Sequence, residues 1–304
     1  MMLELRRLRL LKELHERGTI AAVAEALRFT PSAVSQQLAV LEAEAGVRLL
    51  ERAGRGVRLT DPALVLVEHA AVLLEGAERA EAELAAAAGD VTGRARVASF
   101  QSVALRLAAP AMQSLAHTAP GLRCELVEAE PERSLPALVL GDIDLVLADE
   151  WDGRPHPRPP GVERIDLRRE PMRVILPEDH PAAEGGGPVE LAGLAGERWT
   201  TGHPGSPWEE VTIRACRELG RFDPDIRHHT NDAVISLVLV AHGLAVTLLP
   251  DLVMWGGAPG VVTREIAEGE VGRTIYAATR TADAARPSTQ ALLAAVHEAG
   301  AAIW

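Results

Sequence analysis

The sequence predicts an α/β chain with an all-α winged helix-turn-helix at its N-terminus, a long linker helix and a two-lobed α/β body. Three observations carry that reading. Residues 1–60 hold three helical patterns and a glycine-tipped hairpin, residues 61–89 are rich in Ala, Leu and Glu, and strands alternate with helices from residue 90 onward. The 304 residues suffice for about two domains with cores of their own. The expected division is 1–60, 61–89 and 90–304, the last split into lobe I at about 90–160 and 268–304 and lobe II at about 161–267.

In the head, Leu5, Leu8, Leu11 and Leu14 recur every three residues until Gly18 stops the first helix. Thr19 can cap a second, short helix with Ile20, Val23, Ala24 and Leu27 on its apolar side. After Arg28-Phe29, Thr30 offers an N-cap hydroxyl, and Pro31 takes the first helical position, where its missing N–H costs nothing. Val34, Leu38, Leu41 and Ala45 then form one buried stripe, while Ser32, Ser35, Gln36, Ala39 and Glu42 face outward; Gly46 ends this third helix. Extended runs at 47–52 and 57–60 flank Ala53-Gly54-Arg55-Gly56 and read as a hairpin. Small polar side chains opening the third helix, with an arginine at the hairpin tip, favour DNA over a protein partner.

From Asp61-Pro62 to about residue 88 only Gly76 interrupts the helix formers, and Leu64, Val67, Ala71, Leu74 and Glu78 trace an imperfect heptad seam. Such a helix is too apolar to stand alone; it pairs with a second copy or packs on its own domain. Beyond Gly89, strands are predicted at 96–100, 124–128 and 141–148 with helices between them, the rhythm of a parallel sheet covered by helices. The proline-rich stretch 155–160 marks a break. A second unit starts with a strand at 172–176 and runs through 244–249, and a strand at 273–278 and a helix at 289–302 close the chain. Two α/β lobes with a cleft between them form a clamp for a small ligand.

Charge is unevenly placed. Residues 1–60 carry ten basic against seven acidic side chains, and the rest of the chain 21 against 36, within a formal net charge of −12. A basic head on an acidic body suits a protein that presents one end to a polyanion. No apolar run of about 18 residues occurs and no uninterrupted apolar run follows the opening Met1-Met2-Leu3-Glu4-Leu5-Arg6-Arg7, so neither a membrane span nor a signal peptide is expected. Two cysteines, Cys124 and Cys216, make neither a disulfide scaffold nor a metal cluster and fit a reducing, cytoplasmic location. His180, His203 and the His228-His229 pair lack tight metal spacing. No Gly-x-Ser-x-Gly elbow surrounds Ser99 and no phosphate-binding glycine loop is present, so no enzymatic chemistry, cofactor or metal is expected.

Residues 19–60, TIAAVAEALRFTPSAVSQQLAVLEAEAGVRLLERAGRGVRLT, resemble the LysR-type transcriptional regulators. The order of short phrases carries the resemblance: Ala-Glu-Ala-Leu, Ser-Ala-Val-Ser opening the recognition helix, Leu-Glu, Gly-Val-Arg-Leu-Leu-Glu-Arg and a closing Leu-Thr. Weaker phrases continue it, namely GDIDLVLAD (141–149), LPEDHP (176–181), ELAGLAGERW (190–199) and GLAVTLLP (243–250). The resemblance implies a DNA-binding transcriptional regulator with a periplasmic-binding-protein-like domain for a small-molecule effector. It also implies a homodimer formed through the long helix, commonly doubled to a homotetramer. Three departures stand out: Thr30-Pro31-Ser32 where many members have Ser-Gln-Pro, Gln36 where arginine is frequent, and Asp61-Pro62-Ala63 in place of acidic-Ala-Gly. The first two change the groups offered to bases.

The expected partner is double-stranded DNA, with the first turn of the recognition helix in the major groove. Gln36 and Gln37 can bond adenine N6 and N7, and Ser32 and Ser35 can reach bases or phosphates. Thr30 and Pro31 set a helix start whose dipole favours a phosphate. Arg55 at the wing tip reaches a minor groove or phosphate, and Arg52 either joins it or pairs with Glu51 or Glu44. In the resembled family the effector sits between the lobes near the first strand's end, which here is Ser99, Phe100, Gln101 and Ser102. Hydroxyls beside a helix N-terminus suit a carboxylate, simple capping by Ser102 being the alternative. Asp149 ends the third strand, Thr201 and Gly202 open a second-lobe loop, and Asn231 and Asp232 lie at the crossover back. Beside a carboxylate, an amino acid or another ligand with a cationic group is the alternative, because Asp149 and Asp232 would repel a plain anion if both faced the cleft.

Overall fold

The structure is a computed structural model that describes all residues except Met1, Met2, Arg28, Gly54, Arg55, Gly89, Asp90, Pro157, Trp255, Gly256 and Trp304. The chain divides into one unit of Met1–Asp90 with Ala282–Pro287 and another of Val91–Thr281 with Ser288–Trp304. In the first, helix α1 (Leu5–Arg17) buries Leu8, Leu10, Leu11 and Leu14 but leaves Leu5 exposed. Each residue turns a helix by about 100°, so steps of three drift, and Leu5 has swung half a turn away from Leu14. Helix α2 (Ile20–Leu27) buries Val23 and Ala24, with Thr19 Oγ1 accepting from Ala22 N at 3.1 Å. Helix α3 (Pro31–Ala45) buries Val34, Leu38 and Leu41 and stops at Gly46, whose φ of 70° is the left-handed conformation glycine adopts freely.

Strands β1 (Leu50–Ala53) and β2 (Gly56–Leu59) form the antiparallel wing, with Arg52 opposite Val57 and Glu51 opposite Arg58. A single helix α4 (Asp61–Ala88) follows. It sends Ala63, Val67 and Ala70 into the leucine core of the head, at the i, i+4, i+7 spacing of one helix face. The heptad seam expected through Val67 therefore splits. Val67 is used locally, whereas Leu64, Val65, Val72 and Leu73 stay exposed, and the side chain of Glu78 lies outside those described.

The second unit opens with β3 (Gly93–Ser99), then a helical run made of α5 (Gln101–Val103), a π-helical turn at Ala104–Ala108 and α6 (Ala109–Thr118). Next come β4 (Leu122–Glu128), α7 (Pro131–Val139), β5 (Leu145–Trp151) and the long β6 (Val162–Pro177). Strand β7 (Arg198–Thr201), α8 (Pro207–Glu218), β8 (Asp225–His229), α9 (Ala233–Ala241), β9 (Thr247–Pro250) and β10 (Val261–Arg264) make most of the second lobe. Strand β11 (Gly272–Arg280) and α10 (Pro287–Ile303) return to the first. The order β10-β6-β11-β5-β3-β4, with β9 also on β6, makes one seven-stranded sheet serving both lobes. Strand β3 is parallel to β4 and β5, as the βαβαβ rhythm predicts, while β11 runs antiparallel to β5 and β6.

The lobe boundary differs from the expected one. Residues 162–171 of β6 pair with β11 in the first lobe, and only 172–177 pair with β9 and β10 in the second. The crossing lies inside a continuous strand rather than at the prolines of 155–160, because one extended strand can change pairing partners along its length without a break. Each lobe has its own apolar core, one around Val97, Leu107, Leu147 and Leu292 and the other around Met172, Leu191, Trp199 and Leu248. Among the described residues no helix is long and apolar enough to cross a membrane.

Candidate functional site

The head presents a polar helix start. Thr30 Oγ1 accepts from Ala33 N at 3.2 Å, and Ser32 Oγ lies 3.0 Å from the same oxygen, so the cap also fixes the Ser32 side chain. Pro31, Ser32, Ser35 and Gln36 are exposed together on the first turns of α3. Gln37 is exposed as well, but its Oε1 accepts from Arg7 Nε at 3.1 Å, and Arg7 also pairs with Glu4 and Glu44. That bond turns the Gln37 amide toward α1, away from the face that Ser32 and Gln36 share. Arg52 is exposed, and its expected partner Glu51 pairs instead with Arg58 across the wing. Arg55 lies outside the described residues.

One head residue takes a role its spacing did not suggest. Glu42, expected on the outer face, is half-buried, and its Oε1 accepts from Leu49 N at 2.8 Å and Leu50 N at 3.0 Å. A carboxylate on α3 thereby anchors the wing's first strand. The signal available in the sequence was an acid one turn before a helix stop with a strand close behind it.

Between the two lobes of the second unit is a cavity of about 370 Å³. Of the residues expected there, Phe100, Gln101, Ser102, Asp149 and Asn231 line it, and Ser99, Thr201, Gly202 and Asp232 do not. Ser99 and Thr201 are fully buried at the ends of their strands. Gly202 lets the loop backbone close down, since a Cβ there would stand 2.2 Å from Ser206 Oγ. Asp232 caps α9 by accepting from Val234 N at 2.8 Å and also takes a bond from Gln101 Nε2 at 3.1 Å. Because Gln101 Oε1 accepts in turn from Ala233 N at 3.2 Å, this one side chain ties the first lobe to the second.

The centre of the cleft is Arg273, which no motif or spacing in the sequence singles out as a site residue. Its Nε donates to Glu170 Oε1 at 2.7 Å, Nη1 to Asp149 Oδ2 at 3.0 Å and Nη2 to Ser102 Oγ at 2.9 Å. Arg273, Asp149 and Glu170 are all buried, and the guanidinium lies 4.8 Å from the ring centre of Phe100 and 5.3 Å from that of Trp151. Burial pushes the Asp149 and Glu170 carboxyls above the usual carboxylate range, and Arg273 pulls them back. The two acids expected to repel a plain anion do not both face the cleft: Asp149 lines it but is paired with Arg273, and Asp232 is turned to the N-terminus of α9. An arginine opening an otherwise apolar strand was the available signal for Arg273.

Glu130, immediately before α7, and Glu132 line the same cavity. The Glu130 carboxyl is pushed up to about 7 by burial and then by the negative charges of Asp149 and Glu132. Among the described residues no group of three or more His, Cys, Asp or Glu side chains could hold a metal ion.

Residues 5–64 match the model for the bacterial regulatory helix-turn-helix of the lysR family, and residues 88–301 match that for the LysR substrate binding domain. The chain is 32% identical over 240 residues to the HTH-type transcriptional regulator ShiR of Corynebacterium glutamicum, covering 75% of this chain and 79% of that one. To the HTH-type transcriptional regulator ClcR of Pseudomonas putida it is 28% identical, with 83% and 84% covered. The crystal structure of CbnR, a LysR family transcriptional regulator, superposes with a TM-score of 0.56 at 25% identity over 97% of this chain and 100% of that one.

Proposed function

This chain belongs to the LysR family, a family of DNA-binding transcriptional regulators rather than enzymes, and from that premise we propose how its parts divide the work. Residues 1–60 bind double-stranded DNA, 61–89 form the linker and dimerisation helix, and 90–304 bind a small-molecule effector in the cleft. The observation that carries the DNA reading is the joint exposure of Ser32, Ser35 and Gln36 on the capped first turns of α3. A helix so presented fits the major groove, where Gln36 reads a base edge and Thr30, Pro31, Ser32 and Ser35 stand at base or phosphate distance. Arg52 and Arg55 serve the phosphates from the wing, and Gln37 serves the groove only indirectly, through Arg7.

The protein works as a homodimer or homotetramer in the cytoplasm. Uncovered apolar side chains support the pairing: Leu64, Val65, Val72 and Leu73 on α4, and Val234, Ile235 and Val238 on α9. The effector enters between Phe100, Gln101, Ser102, Asp149 and Asn231 and is sensed through the Gln101 tie to α9.

Binding to the DNA upstream of the protein's own reading frame, measured against random duplex across a salt series, tests the reading. Preferential binding that falls steeply with salt is expected. Gln36→Ala should alter base preference, while Arg55→Ala should weaken binding to every duplex alike. Equal losses on specific and random DNA for both variants would overturn this division of labour, and no binding at low salt, with or without effector, would overturn the DNA assignment.

A further inference from the structure

The cleft's own chemistry narrows what it can hold. Its basic side chains are Arg273, Arg154 and His156. All three nitrogens of Arg273 already donate within the protein, to Glu170, Asp149 and Ser102. Arg154 Nη1 donates to the Gly205 carbonyl at 3.1 Å and pairs with Glu210 at 2.9 Å. His156 lines the same cavity as Asp149. Against these, three carboxyls line the cavity, Glu130, Glu132 and Asp149, and no ion pair holds Glu130 or Glu132 among the described residues. Arg273 answers Asp149 and Arg154 answers Glu210, so the lining carboxyls without an ion-pair partner among the described residues are Glu130 and Glu132, and an anionic ligand would meet those two. Phe100, Trp151 and Trp208 supply aromatic wall, and the first two already carry one cation, Arg273, over their rings.

We propose that the cleft takes a small organic cation, a ligand with a protonated or quaternary amine held by Glu130 and Glu132 beside the aromatic wall. The proposal rests on the reading of this cleft as the effector site and names the class of molecule it accepts. A cavity of about 370 Å³ is at the small end of ligand sites, which suits a metabolite-sized amine. Glu130 gives the site a second property. The groups facing it are Asp149, Glu132 and Glu128, with Arg273 opposing, and its carboxyl ionises only at about 7. A bound cation favours the ionised form, so binding expels a proton and strengthens as pH rises through that value.

Isothermal titration of the full chain with choline, putrescine and L-lysine, beside butyrate and benzoate, tests this. At least one of the cations is expected to bind, about tenfold or more weakly in the Glu130→Gln/Glu132→Gln double variant, and more tightly at about pH 8 than at about pH 6 in the unmodified chain. Circular dichroism of the variant establishes that it is folded. Binding of the acids alone, lost on Trp151→Ala, would overturn the cation assignment and leave the cleft as the effector site. Cation binding untouched by both Trp151→Ala and the double variant would move the effector elsewhere and overturn both readings. No binding by any of the cations would overturn the proposal.

Discussion

The head and the cleft are both polar sites, yet they are built on opposite principles. On α3 the functional groups stand exposed, each held by its own helix turn, and most touch nothing but their neighbours in sequence. In the cleft the central charges are buried and answer one another across long stretches of chain, with Arg273 bonding Asp149, Glu170 and Ser102 at once. A surface of independent contacts loses function piecemeal when it is mutated. A buried network fails as a unit, because removing one charge strands the others in a medium that cannot solvate them.

The sharpest break of that comparison is Arg273→Met. It leaves Asp149 and Glu170 buried without their cation, and a loss of about 3–5 kcal/mol of stability is expected at neutral pH. Burial already raises both carboxyls, and without the arginine they would rise further, so the deficit shrinks as pH falls and acid protonates them. Denaturant unfolding of the variant at two pH values measures this. Adding Asp149→Asn should then restore part of the loss, which independent contacts would not allow. A deficit below about 1 kcal/mol that does not depend on pH would show that the network is not coupled.

The same contrast explains which parts were legible in the sequence. The cap at Thr30, the stripe Val34, Leu38, Leu41 and the stop at Gly46 are local, and helical spacing alone placed them. Leu5 and Val67 misled for different reasons: a three-residue step drifts off the buried face and leaves Leu5 exposed, while a heptad valine such as Val67 announces an apolar face but not which neighbour covers it. The cleft was half legible. Phe100, Gln101 and Ser102 follow from the family resemblance, and Asp149 and Asn231 from lying at a strand end and at the crossover between lobes. Arg273 is 124 residues from its partner Asp149, and no spacing rule reaches that far. The boundary inside β6 was hidden too, since nothing in an extended run says which strands each half will pair with.

Glu42→Ala asks whether the head contains any coupled element of its own. The Glu42 carboxylate receives the N–H groups of Leu49 and Leu50, so its loss leaves two donors at the root of the wing without their acceptor. About 1–3 kcal/mol should go, less than for Arg273 because the site is only half-buried and water can reach it. Hydrogen–deuterium exchange is the readout: protection should fall across the wing while α3 keeps its own. Unchanged exchange in the wing would mean that β1 and β2 hold their place without this anchor.

Thr30→Ala is the smallest change and sets the floor of the comparison. Thr30 Oγ1 accepts from Ala33 N and meets Ser32 Oγ, and both contacts are exposed. Loss of such a cap costs about 1 kcal/mol, and serine in its place should recover most of it because the accepting oxygen is kept. In an exposed, local site the effect must stop there. Thr30→Ala should fray the first turn of α3, where Ser32 and Ser35 sit, and weaken DNA binding, yet leave the titration of effector probes into the cleft unmoved. A change in effector affinity on Thr30→Ala would break the contrast, since it would mean that the start of the recognition helix and the buried network answer to each other.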